Sequence, residues 1–174
     1  GAPLGDLYAQ LDEATAIATV ETALHKGITL LDTSPHYGNG LSEHRIGAAL
    51  RRVPEAKVTL CTKVGRVMEP FAPPEMAVGF QGGLPHRPRF DYSHDGTLRS
   101  LEQSMLRLGV NHIDIVLIHD VDVWTHGADE IEERFSQAMG GAYRALAALR
   151  DAGTVKAIGV GINGADMAAR FARA

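Results

Sequence analysis

The sequence predicts an α/β fold with a parallel sheet, of the (β/α)8 TIM-barrel type, and three observations carry that expectation. Segments of helical and strand periodicity alternate along the chain without hairpin signals, which is the pattern of parallel strands joined by right-handed crossovers. Three short apolar runs, at residues 28–32, 58–63 and 113–119, end abruptly in Asp32, Lys63 and His119. Together with Tyr37, just beyond the first run, these polar residues stand at the carboxyl ends of strands, where a barrel collects its chemistry. A buried strand has no packing reason to end in this way.

The elements follow in order. Residues 12–26 have a helical period, with Ala14, Ile17, Val20 and Leu24 on one stripe and Gly27 placed as the terminating glycine. The strand from Ile28 comes next. Ser42 is positioned as the N-cap of a helix to about Arg52, with Leu41 and Ile46 as a hydrophobic staple and Pro54 as its stop. After the strand from Val58, residues 67–92 show no sustained period and carry Pro70, Pro73, Pro74, Pro85, Pro88, Gly79, Gly82 and Gly83, so a long loop is expected. Ser93 or Asp95 can cap a helix whose stripe is Leu98, Leu101, Met105 and Leu108, ended by Gly109. The strand from Ile113 follows, then a loop at about 120–130. A helix with Phe135, Met139, Tyr143, Leu146 and Leu149 on one side runs to Gly153, a strand spans 155–161, and a last helix starts at Ala165.

Length bounds the architecture. An eight-unit barrel takes about 250 residues, so the 174 residues of this chain correspond to about the first five β/α units of one barrel domain, with sheet edges left open. A complete flavodoxin-like sheet is the structural alternative, and no Gly-x-Gly-x-x-Gly follows the first strand to support it. The 17 basic and 21 acidic residues give a charge of −4, which leaves no footprint for nucleic acid or an anionic membrane. The single cysteine, Cys61, lies inside an apolar run and has no intrachain partner. With no long apolar stretch and no signal-peptide pattern, a cytoplasmic location is expected.

The four strand-end residues suggest a tuned proton donor. A free tyrosine titrates near pH ~10 and needs a neighbouring cation to act as a base closer to neutrality. Lys63 can be that cation, and Asp32 can keep it charged. Tyr37 lies five residues past Asp32, between a turn-prone segment and Gly38-Asn39-Gly40, enough loop to point it back over the barrel mouth. His119 can donate a hydrogen bond to a substrate oxygen. Taken singly, each has a structural reading: Asp32 as a cap or salt-bridge partner, Lys63 as a rim charge, Tyr37 as a loop anchor, His119 as a core histidine. At successive strand ends, the functional reading is the stronger one. His36 and His126 are candidate substrate contacts, and His25, His44, His86, His94 and His112 are expected to be solvated. No ligand spacing of His or Cys suggests a metal.

At these residues the chain resembles the aldo-keto reductases. Asp32-Thr-Ser-Pro-His-Tyr37-Gly-Asn-Gly-Leu-Ser-Glu43, Thr62-Lys63-Val-Gly65 and Ile118-His119-Asp120 are similar, in that order, to the segments that carry the family's catalytic tetrad, and the likeness covers nearly the whole chain. The resemblance implies Tyr37 as general acid or base, Lys63 and Asp32 as its tuning pair, and His119 as the residue orienting the carbonyl. It also implies NAD or NADP as cofactor, with Asp32 near the nicotinamide ribose and Asn163 bonded to the carboxamide, although Ile162 stands where many members have serine. The segments 118–127 and 90–96 resemble the branch of D-threo-aldose (L-fucose) 1-dehydrogenases and pyridoxal 4-dehydrogenases. That likeness implies oxidation of a cyclic hemiacetal to a lactone, with Trp124 packed on the substrate ring. The loops after the seventh and eighth strands, which bind the cofactor phosphates in the family, have no counterpart among these residues. General aldehyde reduction, or a non-catalytic binding role on the same scaffold, are the alternatives. The expected partner is a small sugar or aldehyde, with a homo-oligomer left open.

Overall fold

The computed structural model describes residues 1–174. A 3-10 turn (Ala2–Gly5) precedes α1 (Glu13–His25), whose start is fixed by the Asp12 carboxylate accepting from Thr15 N at 2.9 Å. Ile17, Val20 and Leu24 bury the expected stripe, but Ala16 takes the place of Ala14, which faces solvent. Gly27, with φ of 84°, ends the helix as expected. β1 (Leu30–Asp32) is two residues shorter than the run at 28–32, because Ile28 N still bonds to Ala23 O and closes α1. α2 (Leu41–Arg52) is N-capped by Gly40 and not by Ser42. The Ser42 hydroxyl instead donates to Gly1 O at 2.9 Å and accepts from Thr33 Oγ1 at 2.9 Å, tying the helix to the β1 exit.

β2 (Thr59–Val64) is followed by a correction to the expected loop. Its two ends pair as an antiparallel hairpin, β3 (Arg66–Glu69) with β4 (Arg87–Phe90). Each arm is only four residues long and β4 contains Pro88, so neither shows a period. Arg87 and Arg89 both bond to Glu69 and hold the ladder. α3 (His94–Leu108) is capped by Ser93, whose hydroxyl accepts from Gly96 N at 3.0 Å, and stops at Gly109. β5 (Ile115–His119) then leads almost directly into α4 (Val123–Gln137). The segment expected as loop is thus helical from Val123, capped by Asp122 and broken only at Gly127 with φ of 76°.

A π-helical turn (Ala138–Tyr143) separates α4 from α5 (Arg144–Asp151) and shifts the buried face. Ala138, Ala142, Ala145 and Leu146 are buried, while Tyr143, expected on the stripe, is exposed. The cause is close approach: Gly141 has no room for a side chain against Tyr92 O, and Ala142 N donates to that same oxygen at 2.9 Å. β6 (Ala157–Gly161) and α6 (Ala165–Arg173) complete the chain.

The four long-range strands form one parallel sheet in the order β1-β2-β5-β6. Alternation then divides the side chains. Leu60, Val64, Val116 and Ile118 point under the helices and join a continuous apolar cluster running from Ile17 to Met167. Cys61, Lys63 and His119 lie on the inner face. The inner face is less covered at the β1 edge, where Leu30 is 55% exposed. No helix is long and apolar enough to cross a membrane.

Candidate active site

The register brings the strand-end residues to one rim. Asp32 is opposite Cys61, Lys63 opposite Leu117, and His119 opposite Gly161. Lys63 is buried and donates to Asp32 Oδ1 at 2.7 Å, Asp32 Oδ2 at 2.9 Å and Thr33 O at 2.8 Å, which uses all three of its donors. Its ammonium also lies 4.9 Å from the centroid of the Tyr37 ring. Burial opposes the charge, but the Asp32 hydrogen bond and the nearby Tyr37 outweigh it, so the Lys63 pKa is raised and the ammonium stays protonated. Burial, with Asp32 next, pushes the Cys61 thiol up to about 12, which leaves it inert.

Tyr37 is carried on a turn that the sequence makes tight. Tyr37 N bonds Ser34 O at 3.1 Å, and Gly38, Asn39 and Gly40 then run at φ of 63°, 53° and 99° into α2. Asn39 Nδ2 reaches Glu75 O at 2.8 Å and His86 O at 3.0 Å, pinning the 75–86 segment onto this turn. The His119 ring meets Tyr37 edge-on, 5.9 Å away at 86°. Burial, then Arg66, Lys63 and His36, push the His119 pKa well below its usual value, so the imidazole is neutral near neutral pH. The Tyr92 hydroxyl donates to His119 O at 2.8 Å and fixes the strand end.

The remaining predicted residues fall in two places. His36 joins the tetrad: its ring is 5.9 Å from that of His119 and 5.3 Å from Phe80, and burial, then Arg66, push its pKa down to about 3. Its Nδ1 is buried without a partner. Asn163 and Trp124 line a separate cleft of about 270 Å³, together with Asp122, Val123 and Met167. Asn163 N donates to Asp122 Oδ2 at 2.8 Å, and the Trp124 side chain is 88% exposed. Gly161, two residues before Asn163, packs on the tetrad side, since a Cβ there would stand 3.0 Å from Lys63 Cε and 3.6 Å from His119 Cδ2. His126 Nε2 lies 3.0 Å from the Tyr92 hydroxyl, whose one proton goes to His119 O, so the ring donates.

Sequence reasoning missed Ser34, Arg66 and Asp120. Ser34 Oγ lies 3.0 Å from His119 Nδ1, and the buried Arg66 pairs with Asp120 at 2.8 Å. A second cation three residues after Lys63 was the available signal for Arg66. Asp120 stood in the Ile118-His119-Asp120 segment, but its pairing with Arg66 depends on a residue far back in the chain.

The chain matches the aldo/keto reductase family over residues 1–172. It belongs to that family. It is 43% identical over 173 residues to the pyridoxal 4-dehydrogenase of Microbacterium luteolum, covering 93% of this chain and 50% of that protein. It is 34% identical over 177 residues to a D-threo-aldose 1-dehydrogenase of Pseudomonas sp, covering 99% of this chain and 51% of that one. Among solved structures it is similar to the glycerol dehydrogenase of Gluconobacter oxydans, with a TM-score of 0.67 at 26% identity over 98% of this chain and 45% of the other. The chain thus spans about half the length of the curated relatives it matches. The parallel sheet and its helices are accordingly part of an aldo/keto reductase barrel, with four β/α units and one preceding helix where about five units were expected.

Proposed function

We propose that this aldo/keto reductase chain carries the proton-transfer site of a nicotinamide-dependent dehydrogenase that oxidises a cyclic hemiacetal to a lactone. The observation that carries the reading is the Lys63 ammonium, bonded to Asp32 and lying beside the Tyr37 ring, with a neutral His119 edge-on to the same tyrosine. A pure binding module has no need of this arrangement.

The residues present fit the nicotinamide end of NAD or NADP: the exposed Asn163 side chain offers an amide donor and acceptor, matching a carboxamide, at the mouth of an open cleft. Asn163 and Asp32 would hold that end, and the bound cofactor would supply the hydride acceptor. The chain's own residues do the rest. Tyr37 receives the proton of the anomeric hydroxyl as the C–H electron pair leaves that carbon and the carbonyl forms. Lys63 offsets negative charge on the tyrosine oxygen, and Asp32 holds Lys63 in place. His119 donates to the same substrate oxygen, favouring the geometry in which one carbon loses hydride while its oxygen loses a proton. The free face of Trp124 suits a flat or puckered ring, and the unpartnered His36 Nδ1 suits a substrate hydroxyl.

The relatives' names support the substrate class, because aldoses and pyridoxal both close to cyclic hemiacetals. Asp122 caps the helix bearing Trp124 and also holds Asn163 N, so substrate and cofactor sides share one anchor. The test mixes the protein, its intact mass verified, with L-fucose or pyridoxal and NAD or NADP, and follows reduced-nicotinamide absorbance. A rise with either substrate is expected, and the pair that gives it names the branch. Quenching of Trp124 fluorescence by the cofactor without any rise would replace this reading with that of a binding protein.

A further inference from the structure

Three polar side chains stand against the His119 nitrogens, and two of them admit a single chemical answer. The Arg66 side chain is buried, its guanidinium lies 4.4 Å from the centroid of Phe90, and its NH1 sits 2.8 Å from Asp120 Oδ2 and 3.4 Å from His119 Nδ1. The other Asp120 oxygen stands 3.4 Å from His119 Nε2. Ser34 Oγ is 3.0 Å from Nδ1 and already accepts from His36 N at 3.1 Å. A hydroxyl can donate or accept, so Ser34 alone leaves the tautomer open. A guanidinium only donates, and a carboxylate only accepts. Nδ1 therefore faces a donor and Nε2 faces an acceptor.

We propose that Arg66 is a positioning residue: clamped by Asp120 and Phe90, it fixes His119 as the Nε2–H tautomer, so that the imidazole meets a substrate oxygen only as a donor. The usefulness of that donor rests on the hydride-transfer reading above. The tautomer itself does not. In the opposite tautomer Nε2 would present a lone pair, which repels a carbonyl oxygen, so the choice decides whether His119 can donate to the reacting carbonyl. Asp120 contributes from both sides, holding Arg66 with one oxygen and placing the other 3.4 Å from Nε2, too far to take its proton away from a substrate oxygen. Its backbone is fixed by its own N–H donating to Gly161 O at 2.9 Å.

Nitrogen NMR of the protein labelled with 15N-histidine reads the tautomer directly, with His119 assigned by the signal lost in His119→Gln. The expected wild-type spectrum near neutral pH has an unprotonated Nδ1 and a protonated Nε2. Arg66→Met is expected to move the Nδ1 resonance toward the protonated range, and Arg66→Lys, which keeps a cationic donor, to restore it. Ser34→Ala is expected to keep the wild-type pattern, since Arg66 alone suffices. A protonated Nδ1 in the wild type, an Arg66→Met spectrum that matches it, or a tautomer switch in Ser34→Ala would each overturn the proposal. Ser34→Ala decides the matter even if Arg66→Met does not fold. A protein without turnover but with this spectrum overturns only the functional reading, and an active enzyme with the other tautomer overturns only this one.

Discussion

Two cation–anion pairs hang on neighbouring residues of β2 and face opposite ways. On the inner face, Lys63 bonds Asp32 at 2.7 Å. On the outer face, Thr62 donates to Glu43 Oε1 at 2.7 Å, and the other oxygen of Glu43 accepts from Arg107 Nε at 2.6 Å. The Glu43 side chain is fully buried, whereas the Asp32 side chain keeps 43% of its exposure. The outer pair is closed: each carboxylate oxygen has a protein donor, and its task is to bolt α2 and α3 to β2. The inner pair also has its hydrogen bonds filled, but it is open to solvent at Asp32 and lies beside the Tyr37 ring. The same ionic contact is structural where it is sealed from solvent and chemically available where one flank is exposed. One strand supplies both because its side chains alternate.

The comparison can be broken at either pair. Tyr37→Phe removes the proton carrier from the open side, and kcat/KM is expected to fall by roughly 10²–10⁴-fold, the usual scale of general acid–base catalysis. Its cofactor affinity and thermal midpoint should stay close to wild type, and retained turnover would remove Tyr37 from proton transfer. Glu43→Ala opens the closed side and leaves Arg107 without its counter-charge. The expected cost is about 3–5 kcal/mol in urea unfolding, with turnover per folded molecule changing far less.

The open side should also carry a pH signature. Burial depresses the folded-state pKa of His36 from 6.5 to about 3 and lowers that of His119 in the same direction. Their neutral forms belong to the folded state, so this stabilisation is complete above the unfolded value and is lost as pH falls below it, through the window down to about 3 for His36. The expected loss is about 1.4 kcal/mol per pH unit for each histidine. Urea midpoints between neutral pH and pH ~5 measure it, and His36→Phe should lower the slope by one proton. A slope unchanged in that variant would mean that His36 is not held neutral.

The smallest effect is expected at Gly161, where the open pair meets β6. A Cβ there lies 3.0 Å from Lys63 Cε and 3.1 Å from Cδ, so the lysine must shift by a few tenths of an ångström. Gly161→Ala should lower kcat/KM on the order of tenfold through misplacement of Lys63, with less than about 1 kcal/mol of stability lost. Loss of stability without loss of turnover would make Gly161 a packing position only.

Legibility followed the range of the interaction. Asp32, Lys63 and His119 could be picked out because each interrupts an apolar strand period at its carboxyl end, and Gly27, Ser93 and Gly109 because caps are signals within one helical turn. Gly40 in place of Ser42, the π-turn that replaces Tyr143 by Ala142 on the buried face, and the β3–β4 hairpin were not legible. Ser42 is drawn away by Thr33 and Gly1, the π-turn by Tyr92, and the hairpin arms by each other across a loop that has no period. In each case the deciding partner lies outside the local window.

By itself, then, the sequence determined the alternation of helices and parallel strands and the four polar strand ends, because periodicity and capping act between residues a few positions apart. Only the tertiary structure decided which of these charges is open and which closed, set Arg66 against His119 and Asp120, and joined Trp124 to Asn163 through Asp122. Those choices depend on strand register and helix packing, which bring together residues dozens of positions apart and leave no mark on either one alone.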